Sequence, residues 1–352
     1  LSISDIHLST EKGSHLTRAR ANDCMRSSIH SVGFILTPGY ALMSLASAVE
    51  PLRAARHLAG KDLYRCHYYS VEGGFIASTS GGGFQTDPLS RATNDRLDLA
   101  FVVAGGNPLL YHDAALIRGL RALDHLRIPL GGISGGAAIL AKAGLMAGRR
   151  FCVHWAHIDP LREIDPDLLI EPDLYVVDRD RYTCAGGVAA MDMMGALIAR
   201  DHGAAFAREV SNWFIHHRLR TANEPQQEGV RQRFNLNHPM LEAAVELMAS
   251  HLADPLSPEH IAGLTGVSSR QLQRLFQAQF NMPMMGFYRD LRLAKADELL
   301  QQTDLAILDI ASITGFTSAA HFSRCFVQRY KIPPRRKRHA ARGIPSSSGE
   351  AG

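Results

Sequence analysis

The chain has 352 residues, 46% of them hydrophobic and 20% charged, with a formal net charge of +4. That is the make-up of an ordinary globular protein long enough for two or three cored domains, and no apolar run approaches the ~18 residues that a membrane helix needs. Five scattered cysteines (Cys24, Cys66, Cys152, Cys184 and Cys325) contain no C-x-x-C pair, which excludes the usual zinc and redox motifs and points to a reducing compartment, the cytoplasm.

The first 28 residues are polar, lack the apolar core of a signal peptide and are expected to be flexible. From residue 29 to 220, short apolar runs alternate with Ala- and Leu-rich helical stretches. SVGFILTP (31–38) reads as a strand, 42–59 as an amphipathic helix, and YRCHYYSVEGG (64–74) as strand and turn. LDLAFVVAGG (97–106) reads as a buried strand, 112–126 as a helix, RIPLGGIS (127–134) as a strand, and 135–148 as a helix. Strands alternating with helices predict a doubly wound α/β domain with a parallel sheet covered on both faces.

Within it, Gly132-Ile133-Ser134-Gly135-Gly136 matches G-x-S-x-G, the strand-to-helix elbow that exposes the serine of hydrolases. Gly105 and Gly106 end a strand beside it and are candidates for oxyanion-hole N–H groups. Hydrolysis also needs a base held near the serine and a group orienting that base. His154, His157 and the HHRL segment at 216–219 are the histidines in reach, and no spacing ties any of them to Ser134. An active serine amidase or esterase is therefore the alternative reading, and a pocket that binds without reacting is the leading one. His154 and His157 lack a third ligand, so neither a metal nor a cofactor is implied.

Residues 221–237 are rich in Gln, Asn and Glu and read as a linker. Beyond it, 238–338 is all helical and internally repeated. IAGLTG (261–266) matches IASITG (310–315) at an offset of 49, and SSRQLQRLFQAQFNMP (268–283) lies over SAAHFSRCFVQRYKIP (318–333) at 50. Each copy (258–280 and 306–330) has helix-turn-helix grammar. In the first, Ile261, Leu264, Leu272, Leu275, Phe276 and Phe280 are expected inside. Ser268 with Gln271 forms a capping box, and Ser269, Arg270, Gln273, Arg274 and Gln277 face outward. In the second, Phe322, Cys325, Phe326 and Tyr330 are inside, while Ala320, His321, Ser323 and Arg324 face outward or flank. Arg and Gln can match guanine and adenine edges in a major groove. The helix at 284–303 would hold the two units apart, at about the ~34 Å of one DNA turn. Eight basic residues and no acid lie between Arg324 and Arg342, and 339–352 reads as a disordered tail. A helical dimerisation domain with a solvated basic face, or an architectural DNA binder without a ligand, are the other readings.

GFTSAAHFSRCFVQRYKIPP (315–334) resembles the AraC-type double helix-turn-helix signature, departing from it at Lys331, where glycine is usual, and in RRKRHA after Pro334. The segments 44–55, 143–155 and 183–203 resemble the class I glutamine-amidotransferase-like domain of a subgroup of these regulators. The resemblance implies double-stranded promoter DNA as partner, a homodimer, an activator, and a non-enzymatic sensor for an amino-acid-like or quaternary-amine metabolite. It also implies an effector pocket built from Glu50, Gly105, Gly106, Ser134, Gly135, His154 and Trp155. There Glu50 would favour a cation, which Trp155 or Tyr40 could stack against, with core packing or a pairing with Arg53 as their structural alternatives.

Overall fold

The computed structural model describes residues 30–341. The expected flexible segment 1–28, Cys24, and residues 342–352 of the expected tail lie outside the described residues. The N-terminal body is an eight-stranded sheet in the order β3-β4-β2-β1-β5-β6-β8-β7. Its strands are β1 (His30–Leu36), β2 (Tyr64–Ser70), β3 (Gly74–Ala77), β4 (Gly83–Pro88), β5 (Leu99–Ala104), β6 (Leu130–Ser134), β7 (Tyr175–Asp178) and β8 (Arg181–Cys184). The six from β4 to β8 pair in parallel, and β3 and β7 close the edges antiparallel. The expected parallel sheet is present, with two hairpin edges that the apolar periodicity did not reveal.

Alternating side chains of the central strands feed two cores, as the period of two dictates. Ile35, Val102 and Leu130 pack under helices α2 (Ala114–His125), α3 (Gly136–Lys142) and α4 (Trp155–Ile164). Phe34, Phe101 and Ile133 pack on the other face under α1 (Leu42–Ala59), α5 (Ala189–His202) and α6 (Ala204–Trp213). The helix expected over 135–148 ends at Lys142, with Gly144 at φ +77.

Most of the segment expected to be a linker is exposed, and it is tied to the N-terminal body at particular points. Arg220 pairs with the fully buried Asp192 at 2.6 Å, and Gln226 Nε2 donates to Val153 O and Asp173 O. Helix α7 (Val230–Arg233) follows, and Phe234 and Leu236 already belong to the next core.

The C-terminal body comprises α8 (Pro239–Ser250), α9 (Pro258–Thr265), α10 (Ser269–Phe280), α11 (Met284–Gln302), α12 (Ile307–Ile313), α13 (Ala319–Tyr330) and α14 (Pro334–Ala341). Helix α11 serves two cores: Met284, Phe287 and Tyr288 join Ile261, Leu272 and Phe276, while Leu293, Ala296, Leu299 and Leu300 join Ile310, Phe322 and Phe326. Residues 339–341, expected in the disordered tail, form the last turn of α14.

Candidate DNA-recognition and effector sites

At the elbow, Ser134 ends β6 at φ +58, a left-handed conformation that a non-glycine residue adopts only under tertiary constraint. The constraint is visible on both sides. A Cβ on Gly136 would lie 1.9 Å from Val102 O, and one on Gly186 would lie 2.9 Å from Ser134 Oγ. The serine is 9% exposed.

The groups around it are not set for hydrolysis. Gly135 N, the donor that follows the serine in an elbow, is turned to Ala104 O at 3.3 Å. His154 is the N-cap of α4, and its Nδ1 accepts from Ala156 N at 3.3 Å. Burial lowers its pKa, so the ring is neutral. With Nδ1 accepting, the ring proton is on Nε2, which leaves no lone pair to deprotonate a serine. His157 is buried, lowered to about 4 chiefly by burial, and held at 3.0 Å from Gln302 Oε1 of α11. His216 lies 3.2 Å from Asp192, which also takes Arg220, so the HHRL segment serves packing. Among the described residues no group of three or more His, Cys, Asp and Glu comes together as metal ligands.

Two expected pocket residues, Glu50 and Tyr40, are placed differently. Glu50 lies on the surface of α1, bound to Arg53 at 2.6 Å. Ser44, one turn and a half earlier, is the residue of that helix facing the elbow, where its Oγ accepts from Gly187 N at 2.7 Å. No sequence signal distinguishes it from the neighbouring serine. Tyr40 is fully buried against Phe84 and cannot stack on a ligand. Trp155, expected in the core on the structural reading, is 43% exposed. Gly105 is half-buried against the 39–41 turn, and Gly106 is exposed at φ +59.

Gly106 and Trp155 line a cleft of about 770 Å3 between the two bodies, with Lys295 and Glu298 of α11 opposite. Three polar contacts cross the boundary there: Asn107 Nδ2 to Gln301 O at 2.6 Å, Lys295 Nζ to Asp159 Oδ2 at 2.6 Å, and the His157–Gln302 pair.

The two helix-turn-helix copies are built alike. Ser268 Oγ accepts from Gln271 N, and Ser318 Oγ from His321 N, each at 3.2 Å. Gly266 and Gly315 make the turns at φ +73 and +71, as only glycine does without strain. Arg270, Gln271, Arg274 and Gln277 are exposed on α10, as are Ala320, His321 and Arg324 on α13, while Ser269 and Ser323 are half-exposed.

Two expectations fail in the first copy. Leu264 is 58% exposed, because α9 turns Ile261, Ala262 and Thr265 inward. Gln273 is half-buried, and its Oε1 accepts from Met284 N at 3.2 Å. An N–H at a helix start needs a partner from outside the helix. Fifty residues on, Pro334 has no N–H, and Ser323 has none to satisfy.

Comparison with known proteins matches residues 261–340 to a helix-turn-helix domain model. The HTH-type transcriptional regulator GlxA of Rhizobium meliloti (strain 1021) is 42% identical over 307 residues, 87% of this chain and 94% of its own length. The chain belongs to the AraC-type HTH transcriptional regulators. The regulators CdhR and ArgR of Pseudomonas aeruginosa are 39% and 35% identical, each over at least 87% of this chain and 90% of their own. A solved AraC family regulator from Pseudomonas putida is 28% identical, covering 53% of this chain and 99% of its own, with a TM-score of 0.48. Family membership makes the chain a DNA-binding transcriptional regulator and not an enzyme. Its N-terminal body is an α/β domain on a mostly parallel sheet, and among the described residues no helix is long and apolar enough to cross a membrane.

Proposed function

We propose that this regulator is a metabolite-controlled activator that binds promoter DNA as a homodimer. In each protomer α10 and α13 enter successive major grooves. Arg270, Arg274 and Arg324 read bases, helped by Gln277, His321 and the residues at the two helix starts, Ser269, Gln271, Ala320 and Ser323. The observation carrying this reading is the repeat itself: two helices capped by the same Ser-to-N–H bond, each exposing an arginine at the matched position, Arg274 and Arg324. The amidotransferase-like domain is the sensor for an amino-acid-like or quaternary-amine metabolite, with Ser134, Gly105, Gly106, Gly135, His154 and Trp155 on the ligand's side of the fold. Ser134 acts as hydrogen-bond donor and acceptor, since neither His154 nor Gly135 N is free to activate a reaction on it.

The test is fluorescence anisotropy of the full chain on labelled promoter fragments, including the one upstream of its own gene, alongside thermal unfolding against a panel of amines and amino acids. A true effector at ~100 times its Kd adds about 2.7 kcal/mol. Absence of any sequence-preferred DNA binding overturns the reading.

A further inference from the structure

Small-molecule sites favour domain boundaries, with volumes of ~300–1,000 Å3, and the cleft beside α4 meets both conditions at about 770 Å3. A second depression, about 460 Å3 around Arg53 and Asp62, lies on one helix end and touches a single body. The cleft is chemically specific. Its walls carry Asp159, Asp297 and Glu298 against Lys295 and Arg233. Lys295 is shared between two carboxylates, at 2.6 Å from Asp159 and 3.2 Å from Glu298, so one ammonium answers two negative charges. Burial raises the pKa of Glu298 despite the lowering effect of Lys295 and Arg233. The indole of Trp155 stands over the same space, and an exposed tryptophan face attracts cations. Ala249, Leu252 and Leu291 supply an apolar floor.

We propose that the cleft between the sensor and α11 is a binding site for a small organic cation, stacked on Trp155 and neutralised by Asp159 and Glu298. The occupant competes with Lys295 for Asp159 and so weakens a contact that holds α11 to the N-terminal body. This goes beyond the sensor reading above by adding a cation site in the cleft, apart from Ser134, and it rests on that reading.

The chain has two tryptophans, so Trp213→Phe leaves Trp155 as the reporter in the full-length protein. Its emission is titrated with tetramethylammonium and with butylguanidinium at constant ionic strength. At least one is expected to give a saturable change. Asp159→Asn with Glu298→Gln should weaken binding tenfold or more, and Glu50→Gln, whose carboxylate is bound to Arg53 outside the cleft, should leave it within twofold. Lys295→Met removes the competing ammonium and should tighten binding several-fold, a direction that disrupted folding would not produce. A change lost in Ser134→Ala but kept in the carboxylate variant places the ligand at the elbow and overturns the inference, as does weaker binding in Lys295→Met or no saturable response to either cation. Promoter binding is measured separately on the same protein, so failure of the regulator reading is distinguishable from failure of this one.

Discussion

Lys331 shows what a single left-handed residue does. It ends α13 at φ +61, and Asn281 ends α10 at φ +52 at the corresponding place fifty residues earlier. Glycine or asparagine suits such a C-cap, whereas the Cβ of a lysine there crowds the following carbonyl oxygen. Lys331→Gly is therefore expected to stabilise the C-terminal body by ~1 kcal/mol, measured as a higher urea midpoint at unchanged slope. Arg274→Ala and Arg324→Ala should each cost about 1–3 kcal/mol of promoter affinity and relax preference at one base position. Uniform weakening across all sequences would mean that these side chains touch phosphate alone. At Ser134 a fluorophosphonate probe should give no stoichiometric labelling, because His154 has given Nδ1 to its own helix. The types and spacing of these residues could be read from the sequence. The uses of Gln273, Glu50 and Tyr40 could not, since each is decided by which element docks beside it.

Elements were legible where burial is continuous on both faces. β1, β5 and α1 fall within two residues of their expected ends, because long apolar runs and Gly60 at a left-handed C-cap leave little choice. The edge strands β3 and β7, and β8 beside β7, are four residues each, too short to show a period. The basic end proved to be an element too. In α14, Lys337 reaches Asp297 at 3.4 Å and lies over the Tyr330 ring, and Arg338 donates to Leu305 O at 2.6 Å. These two side chains hold the last helix in place, while Arg335 and Arg336 are exposed. Removing the whole segment would therefore strip structure along with charge. Arg335→Gln with Arg336→Gln is the cleaner change, and it should lower the slope of log affinity against log salt by ~2 while leaving the preferred sequence intact. A changed consensus would show that these residues read bases.

Across the whole molecule the boundary between the bodies responds to acid. His157, on α4, is buried against Gln302, and its value of about 4 in the fold lies below the usual 6.5. The unfolded chain binds more protons than the folded one between those limits, so this stabilisation is complete above about pH 6.5 and is lost as pH falls toward 4. His154 and His202 are lowered in the same sense, also by burial. Thermal midpoints of the full chain should fall through that window, and His157→Gln should flatten the fall. An unchanged profile would mean that the interface opens without titrating this ring.

The N-terminal body reaches the C-terminal body by two routes that end in different places. The covalent one runs through Gln226 to Phe234 and Leu236, which are built into the first helix-turn-helix core, where Gln279 Nε2 donates to Asn235 O at 3.1 Å. The other reaches Lys295, Gln301 and Gln302, on the half of α11 that carries the second core. If the second route opens, the first helix-turn-helix stays leashed to the N-terminal body while the second swings on a nineteen-residue lever. A signal arriving from the sensor would thus be written first into how the rear half of the operator is engaged.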